Sequence, residues 1–136
     1  MAVDRADYSL GEMVLRAEAS VQHSAGINAR IDKTAELFAI GAVANDQRHN
    51  LRLDFHGTII TTQAAGLGGG CQTRITLAEA LAIAEADAGG DAVAVVPDDD
   101  DPCMREIQVL VGNTLWEVKV GPAGAIVEKE LSDEEL

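Results

Sequence analysis

Aromatic side chains are almost missing from this chain: Trp116, Tyr8, Phe38 and Phe55 are all that 136 residues contain. A core built without them rests on aliphatic residues and alanine. Each of these buries little area, at about 25 cal/mol per Å², so the core is thin and a partner or second copy would add to it. Basic residues are scarce too, with ten Lys and Arg against 23 Asp and Glu and a net charge of −13. Residues 1–70 hold six basic and eight acidic side chains, and residues 71–136 hold four and fifteen. That negative field repels phosphate backbones, which disfavours nucleic acid and anionic membranes as partners. No apolar run is long enough to span a membrane, so membrane insertion is not expected. Residues 1–7 lack the basic start and apolar stretch of a secretory leader. The expected location is therefore cytoplasmic, or extracytoplasmic if the chain begins after a removed leader. Cysteine is limited to Cys71 and Cys103, enough for one disulfide. With no leader in sight, two free thiols are expected.

What is present is periodicity. Ser9 and Glu12 have the spacing of a capping box, and Leu10, Met13, Val14, Ala17 and Val21 follow at helical intervals. Ile27, Ile31, Ala35, Phe38 and Ala42 continue at a spacing of three to four, which predicts a second helix ending at the polar run 45–50. Leu51, Leu53 and Phe55 alternate with polar residues, and the β-branched run Thr58–Thr62 follows His56-Gly57, predicting a hairpin. Gly66–Gly70 is a flexible stretch rather than a phosphate cradle, because no G-K-[ST] follows it. The chain divides accordingly into an N-terminal helical region with a β-hairpin (1–65), a Gly-rich linker (66–74), an α+β unit (75–130) and an acidic tail (131–136).

The α+β unit opens with a second capping box, Thr76 and Glu79, ahead of an apolar helical face at Leu77, Ala80, Leu81 and Ala84. Gly89-Gly90 ends that helix. Three alternating runs follow: Ala92–Val96, the stretch around Ile107, Val109 and Val111, and Trp116, Val118 and Val120, with a last one at Ala125–Val127. In order and spacing, residues 75–128 resemble a PepSY domain. The residues that carry the likeness are Ile75-Thr76-Leu77-Ala78-Glu79-Ala80, Gly89-Gly90, Leu115-Trp116-Glu117-Val118-Lys119-Val120 and Gly124-Ala125-Ile126-Val127. The resemblance implies a helix packed on a small antiparallel sheet and a binding or inhibitory role, with no catalytic residues to carry over. The overall expectation is an α+β fold in which N-terminal helices and a hairpin precede that PepSY-like unit.

Three features hold candidate chemistry. The run Asp98, Asp99, Asp100 and Asp101 offers carboxylates to a hard cation such as Ca²⁺, although it lacks the alternation of an EF-hand loop; a solvated loop is the commoner use of such a run. His23, His49 and His56 lie at unrelated spacings and fit surface roles better than a metal or haem site. The stripes represented by Met13, Val14, Ile31 and Phe38, together with Trp116, leave more apolar surface than one small sheet covers and are candidates for an interaction surface. No nucleophile elbow, catalytic triad or acid–base pair stands out. The expected function is a non-enzymatic interaction or regulatory module that docks on a larger protein and self-associates, without a cofactor. The alternatives are cation binding at Asp98–Asp101 and an enzyme whose site is assembled only on folding.

Overall fold

The computed structural model describes residues 7–67, 71 and 73–132. Each helix begins at its capping box. In α1 (Leu10–Ser20) the Ser9 hydroxyl accepts from the Glu12 N–H, and the Glu12 carboxylate accepts from the Ser9 N–H. In α2 (Leu77–Ala88) Thr76 and Glu79 make the same reciprocal pair, and Gly89 ends the helix in the left-handed region.

Eight strands follow these helices in two sets of four. They are β1 (Ala25–Asp32), β2 (Leu37–Ala44), β3 (Gln47–Asp54) and β4 (Ile59–Leu67), then β5 (Asp91–Pro97), β6 (Arg105–Val111), β7 (Thr114–Val120) and β8 (Ile126–Leu131). All lie in one antiparallel sheet of order β4-β3-β2-β1-β5-β6-β7-β8. The expected fold class is thereby corrected. In place of N-terminal helices and a hairpin followed by a separate PepSY-like unit, the chain forms one wide sheet with two helices. The halves meet where β1 pairs with β5, Ala29 opposite Val95 and Arg30 opposite Ala94.

The helix expected over residues 27–42 is a hairpin, β1 and β2. Its apolar stripe misleads because a spacing of four is also a multiple of two, so Ile27, Ile31 and Ala35 fit either periodicity. The turn between the strands is made by Asp32, whose Oδ1 accepts from the Ala35 N–H at 3.1 Å, and by Glu36 at φ 56°. Asn45 and Asp46, at φ 52° and 64°, form the two-residue turn into β3, as left-handed Asn and Asp do in tight hairpins.

The two halves are copies of one α-β-β-β-β plan, offset by 67 residues. Ser9 and Glu12 recur as Thr76 and Glu79; the buried helix residues Leu10, Met13, Val14 and Ala17 recur as Leu77, Ala80, Leu81 and Ala84. The Asp7 N–H donates to the Phe55 carbonyl, and the Arg74 N–H donates to the Pro122 carbonyl, both at 2.8 Å. Glu18 accepts from the Gly26 N–H at 2.7 Å, and Glu85 accepts from the Ala92 N–H at 3.0 Å, so each helix clamps the strand that follows it. Burial and the loss of hydration push the Glu85 carboxyl up.

Both helices lie on the same side of the sheet, over Phe38, Ile40, Leu51, Leu53, Ile107 and Val118. Met13 and Val14 are fully buried there, and Phe38 and Ile31 are buried with them. Phe38 meets Phe55 at 5.4 Å between ring centroids. The stripes that looked like an interaction surface are core in this chain, because the wide sheet supplies the cover. Trp116 is half-buried on the same side, with the Lys129 ammonium 5.3 Å from its ring centre.

Truncation separates that core from its rim. Leu81→Ala, at a fully buried site, is expected to cost about 2–5 kcal/mol in urea unfolding. Leu15→Ala, at a residue 53% exposed, is expected to stay within about 0.5 kcal/mol.

Candidate functional site

One face of the sheet is packed under the helices; among the described residues no element lies over the other. A single transverse row of paired residues crosses all eight strands on this bare face. From β4 to β8 it reads Thr61, Arg52, Ala39, Arg30, Ala94, Gln108, Glu117, Glu130. The neighbouring row carries Gln63, Asn50, Gly41 and Asn28 in the first half, and Glu106, Lys119 and Glu128 in the second. In the first row Arg52 and Arg30 lie among neutral residues on one side and Glu117 and Glu130 on the other; the second row is uncharged in the first half and carries Glu106, Lys119 and Glu128 in the second. Asp32 and Asp54 also belong to the first half, at its turn end. Asp32 is held by the Ala35 N–H, and Asp54 Oδ1 by the N–H groups of His56 and Thr58, both at 2.9 Å.

In the first half, Ala39, Gly41 and Ala94 have too little side chain to fill the space between Arg30, Arg52, Asn28 and Asn50. A trough of about 350 Å³ results. In the second half, the Glu106 and Glu117 carboxyls are hydrogen-bonded to each other. That bond, then desolvation and repulsion between the two, pushes Glu106 up to about 7. The nearest ammonium is already engaged, since Lys119 Nζ lies 3.2 Å from both Asp98 and Glu128. These partners hold Lys119 well above the usual ammonium range. Gln108, between Ala94 and Glu117, is 8% exposed, and its Oε1 is buried without a hydrogen-bond partner. A buried orphan acceptor beside two crowded carboxyls is a site short of donors and cations.

A second concavity, a cleft of about 520 Å³, lies where the end of α1 meets the start of α2. Glu18, Asp46, Arg74 and Arg105 reach it, with Ile27, Val43 and Leu77 among its apolar walls. It marks a break in the repeat: Arg105 stands where the first half has Phe38, and Pro122 where it has Phe55. Arg105 is buried and spends its donors on the segment leading into α2. Nη1 donates to the carbonyls of Ile75 and Thr76, both at 3.1 Å, and Nη2 to Thr73 Oγ1 at 3.0 Å. Desolvation lowers its affinity for the proton, and Glu18 and Glu79 oppose that.

At the cleft rim Cys71 and Cys103 are joined in a disulfide, with Cα atoms 5.0 Å apart. This corrects the expectation of two free thiols. Cys71 and Cys103, 32 positions apart, come together because α2 and β5 form a helix–strand return, which sequence separation does not reveal.

The acidic loop is organised by its own backbone. Asp98 Oδ1 accepts from the N–H groups of Asp100 and Asp101, Asp98 Oδ2 faces Lys119, and Asp101 Oδ1 accepts from the Cys103 N–H. The Asp100 N–H and then Lys119 hold the Asp98 carboxyl below its usual range. Asp99 and Asp100 are exposed. Among the described residues no group of three or more His, Cys, Asp or Glu converges on a metal position. The three histidines sit apart: His23 in the turn after α1, His49 on β3 opposite Ala42, and His56 in the next turn, where its ring meets the Asp7 carboxylate at 2.8 Å. That contact raises the His56 pKa. Of the glycine-rich stretch, residues 68–70 lie outside the described residues.

The bare face was not read from the sequence, although Arg48, Asn50 and Arg52 alternating with the apolar residues of β3 announced part of it. Arg30 was hidden inside the misread helix.

No family model matches this chain, and no curated protein does. The fold is similar to the crystal structure of a "putative lipoprotein" from Clostridium difficile 630, at 12% identity and a TM-score of 0.48, covering 88% of each chain. Overlap at that level extends no property of that protein to this one. Among the described residues no helix is long and apolar enough to cross a membrane.

Two measurements check this geometry. Thiol titration in denaturant is expected to find no free thiol before reduction and two after it. Cys71→Ser with Cys103→Ser is expected to cost about 3–4 kcal/mol, the entropic value for a loop of this length. For Glu106, a carboxyl raised from 4.5 to about 7 on folding makes the folded state bind the extra proton in that window. Stability is therefore expected to fall as pH rises from about 4.5 to 7, and Glu106→Gln to flatten that part of the profile.

Proposed function

We propose that this protein is a non-enzymatic binding module of an oxidising compartment, and that it docks a protein partner through the bare face of its sheet. One observation carries the reading: the face is sorted into an arginine half and a carboxylate half, with an unpartnered buried Gln108 oxygen between them. A solvated face alone is ordinary for an antiparallel sheet. Sorted charge that is paired within the chain only in part, at Lys119 with Asp98 and Glu128, is what electrostatic docking uses, since complementary fields steer encounter and fix orientation. The Cys71–Cys103 disulfide supports the compartment, because structural disulfides persist outside the reducing cytosol. The reading assigns no reaction and no cofactor. The cation alternative at Asp98–Asp101 has no geometry behind it, since Asp98 and Asp101 are spent on local backbone bonds and Lys119.

The test is photocrosslinking in the native host. A photoreactive residue in place of Arg30, at the centre of the face, is expected to give a discrete crosslinked product. The same residue in place of Ala86, exposed on α2, is expected to give none. Equal labelling at both positions, or no product from the face, would overturn the docking role.

A further inference from the structure

We propose that the bare face is occupied by a second copy of this chain, packed sheet on sheet about a two-fold axis that lies between the copies and runs parallel to the strands. This rests on the docking reading and names its partner.

The charge pattern selects both partner and axis. A dyad parallel to the strands carries each position of the transverse row to its mirror position across the β1–β5 centre. Arg52 of one copy then falls over Glu117 of the other, and Glu117 over Arg52, the self-complementary arrangement of an isologous interface. The same operation sets Leu37 of β2 over Leu110 of β6, so two half-buried leucines meet. Lys119 falls over Asn50, and no like charges are opposed along the two rows that carry Arg52 and Asn50, whereas in the leucine row Asp32 falls over Asp91. The other in-plane dyad, running across the strands, superposes each strand on itself. It would stack arginine half on arginine half and carboxylate half on carboxylate half, which like-charge repulsion forbids.

The structure also shows what each copy lacks alone. Glu106 and Glu117 crowd together with Lys119 already engaged by Asp98 and Glu128. Gln108 Oε1 is buried without a donor. Under the dyad, Ala39 of the opposite copy lies over Gln108, and the arginines at 30 and 52 flank it on either side. Long guanidinium side chains from both flanks bring positive charge to the carboxyl pair. In return, the carboxylates fill the trough between Arg30 and Arg52 that small side chains leave open.

Size agrees. Seven inter-strand spacings and strands of about six residues give a face of about 34 Å by 20 Å, or about 700 Å² per copy. Two such faces bury about 1,400 Å², within the range of stable, specific interfaces. The thin aliphatic core noted above gains a layer on the side where it has none.

The experiment is sedimentation equilibrium on the intact, oxidised chain and three surface variants, with circular dichroism as the folding check. The wild-type chain is expected to dimerise. Arg52→Glu and Glu117→Arg are each expected to weaken association about tenfold or more, because the dyad repeats each lost pair twice. Arg52→Glu combined with Glu117→Arg in one chain restores both pairs and is expected to return to within about threefold of wild type. An equimolar mixture of the two single variants is expected to form the heterodimer. Glu117→Gln serves as a milder substitute if Glu117→Arg fails to fold, with a smaller loss expected. A chain that stays monomeric up to about 0.5 mM, a dimer indifferent to the single changes, or a double variant that fails to recover would overturn the proposal. None of these results bears on the wider docking role, which fails if the crosslinker at position 30 captures no protein or if positions 30 and 86 are labelled equally. A crosslinked product of twice the chain mass supports the second copy; a product of any other mass as the sole product overturns it.

Discussion

Everything in this fold depends on the short antiparallel contact between β1 and β5. Only Ala29–Val95 and Arg30–Ala94 are paired there, yet the contact removes two exposed sheet edges and turns two four-stranded units into one eight-stranded sheet. It also decides where the helices go. Antiparallel joining relates the halves by a local two-fold axis perpendicular to the sheet, and such an axis keeps both helices on the same face. They can then pack on each other as well as on the strands. The cost of the arrangement is that the opposite face receives no cover from any element among the described residues.

Thinness of the core and width of the sheet are two sides of one constraint. With four aromatic residues, the chain cannot build a deep layer between helix and sheet, and it uses alanines at the closest approaches: Ala17, Ala80 and Ala84 are all fully buried. A second repeat lengthens this shallow layer without deepening it. Stability then leans on local devices at the ends: a capping box on each helix, a carboxylate clamp from each helix to the next strand, and the disulfide and Arg105 over the lead-in to α2.

Much of the second half was legible in the sequence, because each of its signals was unambiguous. Thr76 with Glu79 starts α2, Gly89 ends it, and valines and isoleucines alternate strictly in β6 and β7. The first half was not, and the reason lies in Ile27–Ala42. Its apolar residues fall at intervals common to both periodicities, and its alanines favour a helix locally. The pairing of β2 with β3 along its whole length overrides that preference. A cue to the repeat was present in the helices. Over 11 positions, α1 and α2 share Leu10 and Leu77, Glu12 and Glu79, Ala17 and Ala84, Glu18 and Glu85, and Ala19 and Ala86. Had the chain been aligned on itself at that offset, residues 27–42 would have lain over β5 and β6 and read as strands. The disulfide and the charge-sorted face were beyond that reach, since both arise from contacts between elements.

The repeat also separates what packing demands from what it does not. On the helix side the two halves agree in character: Ile40 corresponds to Ile107, Ala42 to Val109, Leu51 to Val118 and Leu53 to Val120, and all are buried. Phe38 and Arg105 are the exception, and there a cleft opens. On the bare side the two central rows differ in one direction, although Asp54 at the turn end gives way to Gly121. Glu106 replaces Ala39, Glu117 replaces Asn50, Glu128 replaces Thr61 and Glu130 replaces Gln63, while the basic position at Arg52 persists as Lys119. Of those carboxylates Glu128 pairs with its sheet neighbour Lys119, whereas Glu106 and Glu117 crowd one another. On the docking reading proposed above, a surface of opposite pattern laid across the strands accounts for this substitution pattern, and the arginine half of the same face is such a surface.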